Sequence, residues 1–291
     1  MLSGRGGQRC PQTLTECVPF KSWFCAADDP GVPYPSDLTD EQWMLLEPLL
    51  VPPRKPGRKH GDLRTVVDGI LYSTHTGCQW RFLPAEFGPW TRVWSQFRRW
   101  NRNGTWARAL AGLHAQARRM AQRAADKPSM VVIDTHLARG ASNGGATFHA
   151  KGGPYGRTNG AKRVVAVDVT GLPLAALVVP ASCTESAATE LLLEQLEASG
   201  QTDRLELVIV DLGTSARSAR SLAARFGVEV RRVGWETKSP SFRPIAFAWR
   251  VEVAHGRLGR SRRLAKSFEN TTRSATGWLQ VACLRGVLAT C

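Results

Sequence analysis

Two short apolar runs end in a carboxylate, Val131-Val132-Ile133-Asp134 and Val208-Ile209-Val210-Asp211. A carboxylate at the tip of a buried strand sits on a rigid element yet faces a surface that a ligand can reach. If the two strands are neighbours, the charges come close together, which is costly unless a cation neutralises them. Hard oxygen ligands select Mg2+ or Mn2+, and such sites suit phosphoryl chemistry. Two ions can then activate the attacking oxygen and steady the leaving one. Glu252 offers a third acid, in Trp249-Arg250-Val251-Glu252-Val253-Ala254-His255, a helical stretch otherwise mostly apolar or basic. Singly, each acid has a plainer role: a strand-end Asp caps a turn, and Glu252 pairs with Arg250, Arg257 or Arg260. Asp168 is a fourth acid, read as a hairpin residue ahead of Val169-Thr170-Gly171. His136 and His255, near two of the acids in sequence, read as hydrogen-bonded structural histidines without zinc-site spacing.

The elements that must position these residues follow from periodicity. Met130 to Asp134 is a short strand, and residues 164–168 and 173–179 are β-rich runs joined across Thr170-Gly171 as a hairpin. A helix is expected over about 184–198, a strand over 205–211, a helix over about 215–226 and a strand over 228–233. The last third is helical, over about 246–263 and 272–288. Strands alternating with helices in this order predict a layered α/β domain from residue 128 to 291.

Ahead of it, residues 34–127 read as all-α. Thr39 caps a first helix carrying Trp43, Leu46 and Leu49, and 52–59 is a stiff, basic, Pro-rich connector. Leu63, Val66, Val67, Ile70 and Leu71 mark a second helix that Gly77 ends. A third carries Trp90, Trp94, Phe97 and Trp100 on one face, expected to be core, with Arg92, Arg98, Arg99 and Arg102 on or beside the other. A fourth follows from about 105 to 125. Short helices broken by glycine, with arginines crowding the third, resemble a helix-turn-helix reader. Residues 1–33 lack periodicity and read as a loose extension.

The charge balance points the same way. The 291 residues hold 39 Lys and Arg against 24 Asp and Glu, a formal net charge of +15. Such a surplus favours a polyanion, because neutralising phosphates releases condensed counterions. With 43% hydrophobic residues the chain can bury a core and is not a disordered polymer. Seven cysteines without a C-x-x-C pair exclude a zinc ribbon or a disulfide framework. No apolar run reaches the length of a membrane span, and no signal peptide is visible, so a soluble protein of the bacterial cytosol is expected, associated with the nucleoid.

From about 34 to 288 the sequence resembles the insertion-sequence DDE transposases of the IS-five type. Leu38-Thr39-Asp40-Glu41-Gln42-Trp43 and Leu49-Leu50-Val51-Pro52-Pro53 look like that family's opening motif. Gly77-Cys78-Gln79-Trp80-Arg81-Phe82-Leu83-Pro84 and Trp94-Ser95-Gln96-Phe97-Arg98-Arg99-Trp100 match the rest of its helical domain. Ile133-Asp134-Thr135-His136 stands at the family's first Asp and Val210-Asp211 at its second. Trp249-Arg250-Val251-Glu252, then Leu258-Gly259-Arg260-Ser261-Arg262-Arg263-Leu264, stands at its glutamate helix and Arg-Arg-Leu tail. The resemblance implies an RNase H-like catalytic domain, a mixed sheet flanked by helices, in which Asp134, Asp211 and Glu252 hold two Mg2+ or Mn2+ ions. It implies double-stranded DNA as partner, as terminal inverted repeats and as target, with a homodimer in synapsis and no membrane. The basic groups expected at DNA are Arg98, Arg99, Arg102, Lys151, Lys162, Arg163, Arg250, Arg257 and Arg260.

Several positions depart from the pattern. Leu212-Gly213-Thr214 follows the second Asp where the family has Gly-Gly-Tyr, Val253 replaces an Arg beside the glutamate, and Ile245, Ala248 and Gly259 occupy its Tyr, Arg and Lys positions. Two further readings therefore stand beside an active transposase. One is a catalytically decayed transposase that only binds DNA; the other is a hydrolytic nuclease of the same fold.

Overall fold

Helix α1 (Asp40–Leu50) begins at a capping box: the Thr39 hydroxyl accepts from the Gln42 N–H at 3.3 Å, and the Gln42 side chain accepts from the Thr39 N–H at 3.3 Å. The computed structural model containing it describes residues 34–51, 62–141, 159–234 and 247–291. The extension 1–33, the connector 52–59, Lys151 with most of the glycine-rich loop, and Ile245 lie outside the described residues. Asp62 caps α2 (Leu63–Thr76) through the Thr65 N–H, and Gly77 ends it at φ 73°, where a side chain would be strained. Helices α3 (Trp90–Arg102) and α4 (Thr105–Met120) follow.

The third helix differs from its reading in one respect. Its buried stripe is Val93, Phe97 and Trp100, whereas Trp90 and Trp94 sit half-buried at the rim. The reason is cationic company: the Arg81 guanidinium stands 5.3 Å from the Trp90 ring and that of Arg98 stands 4.5 Å from Trp94.

Strands β1 (Met130–Arg139), β2 (Gly160–Asp168) and β3 (Pro173–Pro180) form an antiparallel meander, turned at Gly171 with φ 81°. On the other side of β1 lie β4 (Leu207–Asp211) and β5 (Glu229–Val233), both parallel to it, giving the order β3-β2-β1-β4-β5. This is the RNase H-like mixed sheet that the resemblance implies. The first strand is longer than expected. It continues past Asp134 to Arg139 because β2 pairs with it throughout, so Asp134 lies within a strand and not at its tip.

Alternation divides the sheet's side chains between two cores. Val131, Ile133, Val164 and Ala166 pack under α5 (Glu185–Ala198) and α6 (Ala216–Phe226). Val132, Val165, Val167 and Ile209 face the other way, into one continuous core with α1 to α4, α7 (Trp249–Leu258) and α8 (Thr272–Leu288). Helix α8 is buried at every residue from Gly277 to Leu288 and is the centre of this layer. Its Trp278 stacks on Phe97 at 4.3 Å, and Arg285 donates to Gln42 of α1 at 2.8 Å. Among the described residues no helix is long and apolar enough to cross a membrane.

Candidate active site

Two acids meet because of register. Strands β1 and β4 pair in parallel from Met130↔Leu207 to Val132↔Ile209. Two residues further on, Asp134 and Asp211 come level, on the face that Val132 and Ile209 already occupy. That face is the one covered by α7. Buried Val251, Ala254 and Leu258 fix this helix against β1 and β2, and the flank beside them carries Glu252 and, one turn on, His255. Register thus gathers Asp134 and Asp211, while Glu252 is exposed on the helix that packs over β1 and β2, near enough for its charge to act on Asp134.

The electrostatics register this gathering. Burial pushes the Asp134 carboxyl up to about 6, and the charges of Asp211, Glu185 and Glu252 push the same way, against a hydrogen bond from the Thr135 N–H. No compensating cation is supplied by the nearest imidazole. His255 Nε2 stands 3.7 Å from Asp134 Oδ2, but burial and the neighbouring His136 and Arg163 hold that ring down at about 3. It is neutral at physiological pH. His136 stacks on it with ring centres 5.4 Å apart. Among the described residues no three His, Cys, Asp or Glu side chains close into a ready metal cage. The donor set is nonetheless that of a hard cation: carboxylate oxygens, mutually repelling, with a neutral imidazole beside them.

Sequence reading misses Glu185. It is the first residue of α5, where an acid is explained by the helix dipole alone, so nothing in the sequence marks it out. Folding brings it to the loop after Asp211: a Cβ placed on Gly213 would collide with Glu185 Oε2. Asp168, the other acid considered, belongs elsewhere. It is fully buried at the β2–β3 turn, where Arg118 donates to it at 2.5 Å, His114 Nε2 lies 3.3 Å away and Thr170 N–H donates at 2.8 Å.

The basic residues divide into three groups. Arg98, Arg99 and Arg102 are exposed together on α3, and Arg260 is exposed beyond α7. Arg250 and Arg257 are half-buried, the former between the Phe247 and Trp249 rings at 5.7 and 5.5 Å. Lys162 donates to the Cys183 carbonyl at 2.7 Å, and Arg163 is buried, donating to the Leu264 carbonyl. Burial lowers the Arg163 guanidinium to about 10. These last two side chains tie β2 to its neighbours, a local role that a count of basic residues does not reveal.

Comparison with known proteins points to the same class as the fold and these acids. Residues 38–110 match the family described as "Putative transposase of IS4/5 family", and residues 125–229 match "Transposase DDE domain". The second match includes Asp134 and Asp211 and stops before Glu252. Both matches agree with the resemblance to the insertion-sequence DDE transposases that the motifs carry. It is also 41% identical over 88 residues to the "Insertion element IS402 uncharacterized 16.2 kDa protein" of Burkholderia cepacia. The aligned part is 28% of this chain and spans 60% of that relative's length.

Proposed function

We propose that this chain is a DNA transposase that cleaves and joins phosphodiester bonds at insertion-element ends. The observation that carries the proposal is the register of β1 and β4, which levels Asp134 with Asp211 on the face covered by α7, the helix that bears Glu252. These three carboxylates would hold two divalent cations, Mg2+ or Mn2+. Bound there, such ions activate an attacking oxygen and stabilise a leaving one in an in-line displacement.

The chain's own groups do the positioning. The α7 stripe of Val251, Ala254 and Leu258 anchors the helix that carries Glu252, and the β1–β2 ladder fixes Asp134. His255 stands against Asp134 at 3.7 Å, and His136 stacks on that ring from the solvent side. Arg98, Arg99 and Arg102 form an exposed cationic row on α3 suited to phosphates, and residues 34–127 would present it as the DNA-binding part of the chain. Two ends synapsed by a homodimer are the expected assembly.

A strand-joining assay tests this reading. Linear DNA carrying the element's own inverted repeats, mixed with a target plasmid and Mg2+, should yield joined products. Cleavage without joining would make the chain a hydrolytic nuclease. Retarded DNA with no cleavage would make it a decayed transposase that only binds.

A further inference from the structure

We propose that Glu185 is a fourth carboxylate ligand for the divalent cation bound at Asp134 and Asp211. The inference rests on reading that pair as a metal site, and it adds a residue from the opposite face of the sheet.

Placement is the first argument. Thr184 caps α5 by accepting the Ala187 N–H at 3.3 Å, and buried Ala188, Leu192, Leu193 and Leu196 pin the helix under the sheet. The start of the helix, and Glu185 with it, is therefore fixed at the end of β4. There the carboxylate lies against the backbone of Gly213, two residues beyond Asp211. A Cβ at 213 would overlap Oε2 and fall 2.6 Å from Cδ and 3.2 Å from Oε1. Glycine leaves that space open, and an acid fills it.

Company is the second. Glu190 and Glu194 of the same helix both pair with Arg225, whereas among the described residues Glu185 forms no such ion pair. It sits beside the loop that leaves Asp211, at the end of the sheet where register brings Asp134 level. An acid set among acids needs a cation from outside the chain. A separate observation points to the same place. His255 is 7% exposed, its Nε2 has no hydrogen-bond partner, and it is aimed at Asp134 Oδ2 from 3.7 Å. A buried polar atom left unmatched is costly, and a ligand at Asp134 would reorder that contact.

Calorimetric titration of the full chain with Mn2+, in the absence of DNA, tests the proposal. Glu185→Gln keeps the shape and removes the charge; Gly213→Ala displaces the carboxylate while changing no ligand. Thermal melts establish that each variant folds. Both should weaken Mn2+ binding by about tenfold or more, the scale seen even for groups one shell out from a metal. If Glu185→Gln binds Mn2+ like the unaltered chain while Asp211→Asn binds weakly, Glu185 is no ligand and the metal site stands without it. If neither substitution changes binding, the inference falls together with the reading on which it rests.

Discussion

At the scale of single residues, two buried aspartates have opposite relations to pH. Burial alone would raise Asp168, but the hydrogen bond and charge of His114 and the bonds from Thr170 bring its carboxyl below the ordinary range. Its stabilisation is present above the unfolded value of about 4 and is lost as pH falls through the folded one. Asp68 is the reverse. Burial pushes its carboxyl up to about 7, although the Leu38 N–H donates to it at 3.0 Å. Its contribution is complete below about 4 and is lost as pH rises towards 7. Melting temperature should therefore decline on both flanks of a maximum. Asp68→Asn should flatten the neutral flank, since an amide oxygen still accepts from Leu38. Asp168→Asn should lower stability at pH 7 by about 3–5 kcal/mol, because Arg118 would stay buried without its partner. An Asp68→Asn melt as steep between pH 4 and 7 as that of the unaltered chain would contradict this assignment.

At the scale of elements, most of the fold is legible in the sequence and some of the site is not. Capping and periodicity locate the α-helices, because Thr39, Asp62, Thr184 and Ser215 are cap residues followed by amphipathic runs. The strands fall where apolar runs and Thr170-Gly171 place them. Asp134 is found by its apolar run, but the end of its strand is not, since pairing with β2 extends β1 in a way the local sequence does not announce. Glu185 is invisible because its neighbour Gly213 is distant in sequence and meets it only through packing. The charge of Lys162 and Arg163 suggests DNA, while their partners are the carbonyls of Cys183 and Leu264. Helix α7 supplies the prediction at this scale. Leu258 is buried at its last turn, so Leu258→Ala should cost about 2–5 kcal/mol. DNA nicking should fall further than the loss of folded protein explains, because Glu252 rides on the same helix. Activity that tracks the folded fraction alone would show that α7 does not position the acid.

At the scale of the molecule, the helical part and the sheet share one core centred on α8. The Trp278–Phe97 stack and the Arg285–Gln42 bond join sequence-distant parts, so DNA bound at α3, as proposed, would be tied mechanically to the acids on β1 and β4. The cationic row on α3 gives a salt-dependence prediction. Replacing Arg98, Arg99 and Arg102 by Ala should weaken DNA binding at all sequences. It should also reduce the slope of log affinity against log salt by about 0.9 for each phosphate that is no longer neutralised. An unchanged slope would place the DNA on another surface.

The central claim, that Asp134, Asp211 and Glu252 act as one metal site cutting DNA, is tested most directly by a single comparison. Linear DNA bearing the element's inverted repeats is incubated with the unaltered chain and with Asp211→Ala, in Mg2+ or Mn2+, and nicking and gel retardation are measured together. The account predicts metal-dependent nicking that Asp211→Ala abolishes while retardation is unchanged. Nicking that survives Asp211→Ala, or that proceeds without divalent metal, would contradict it.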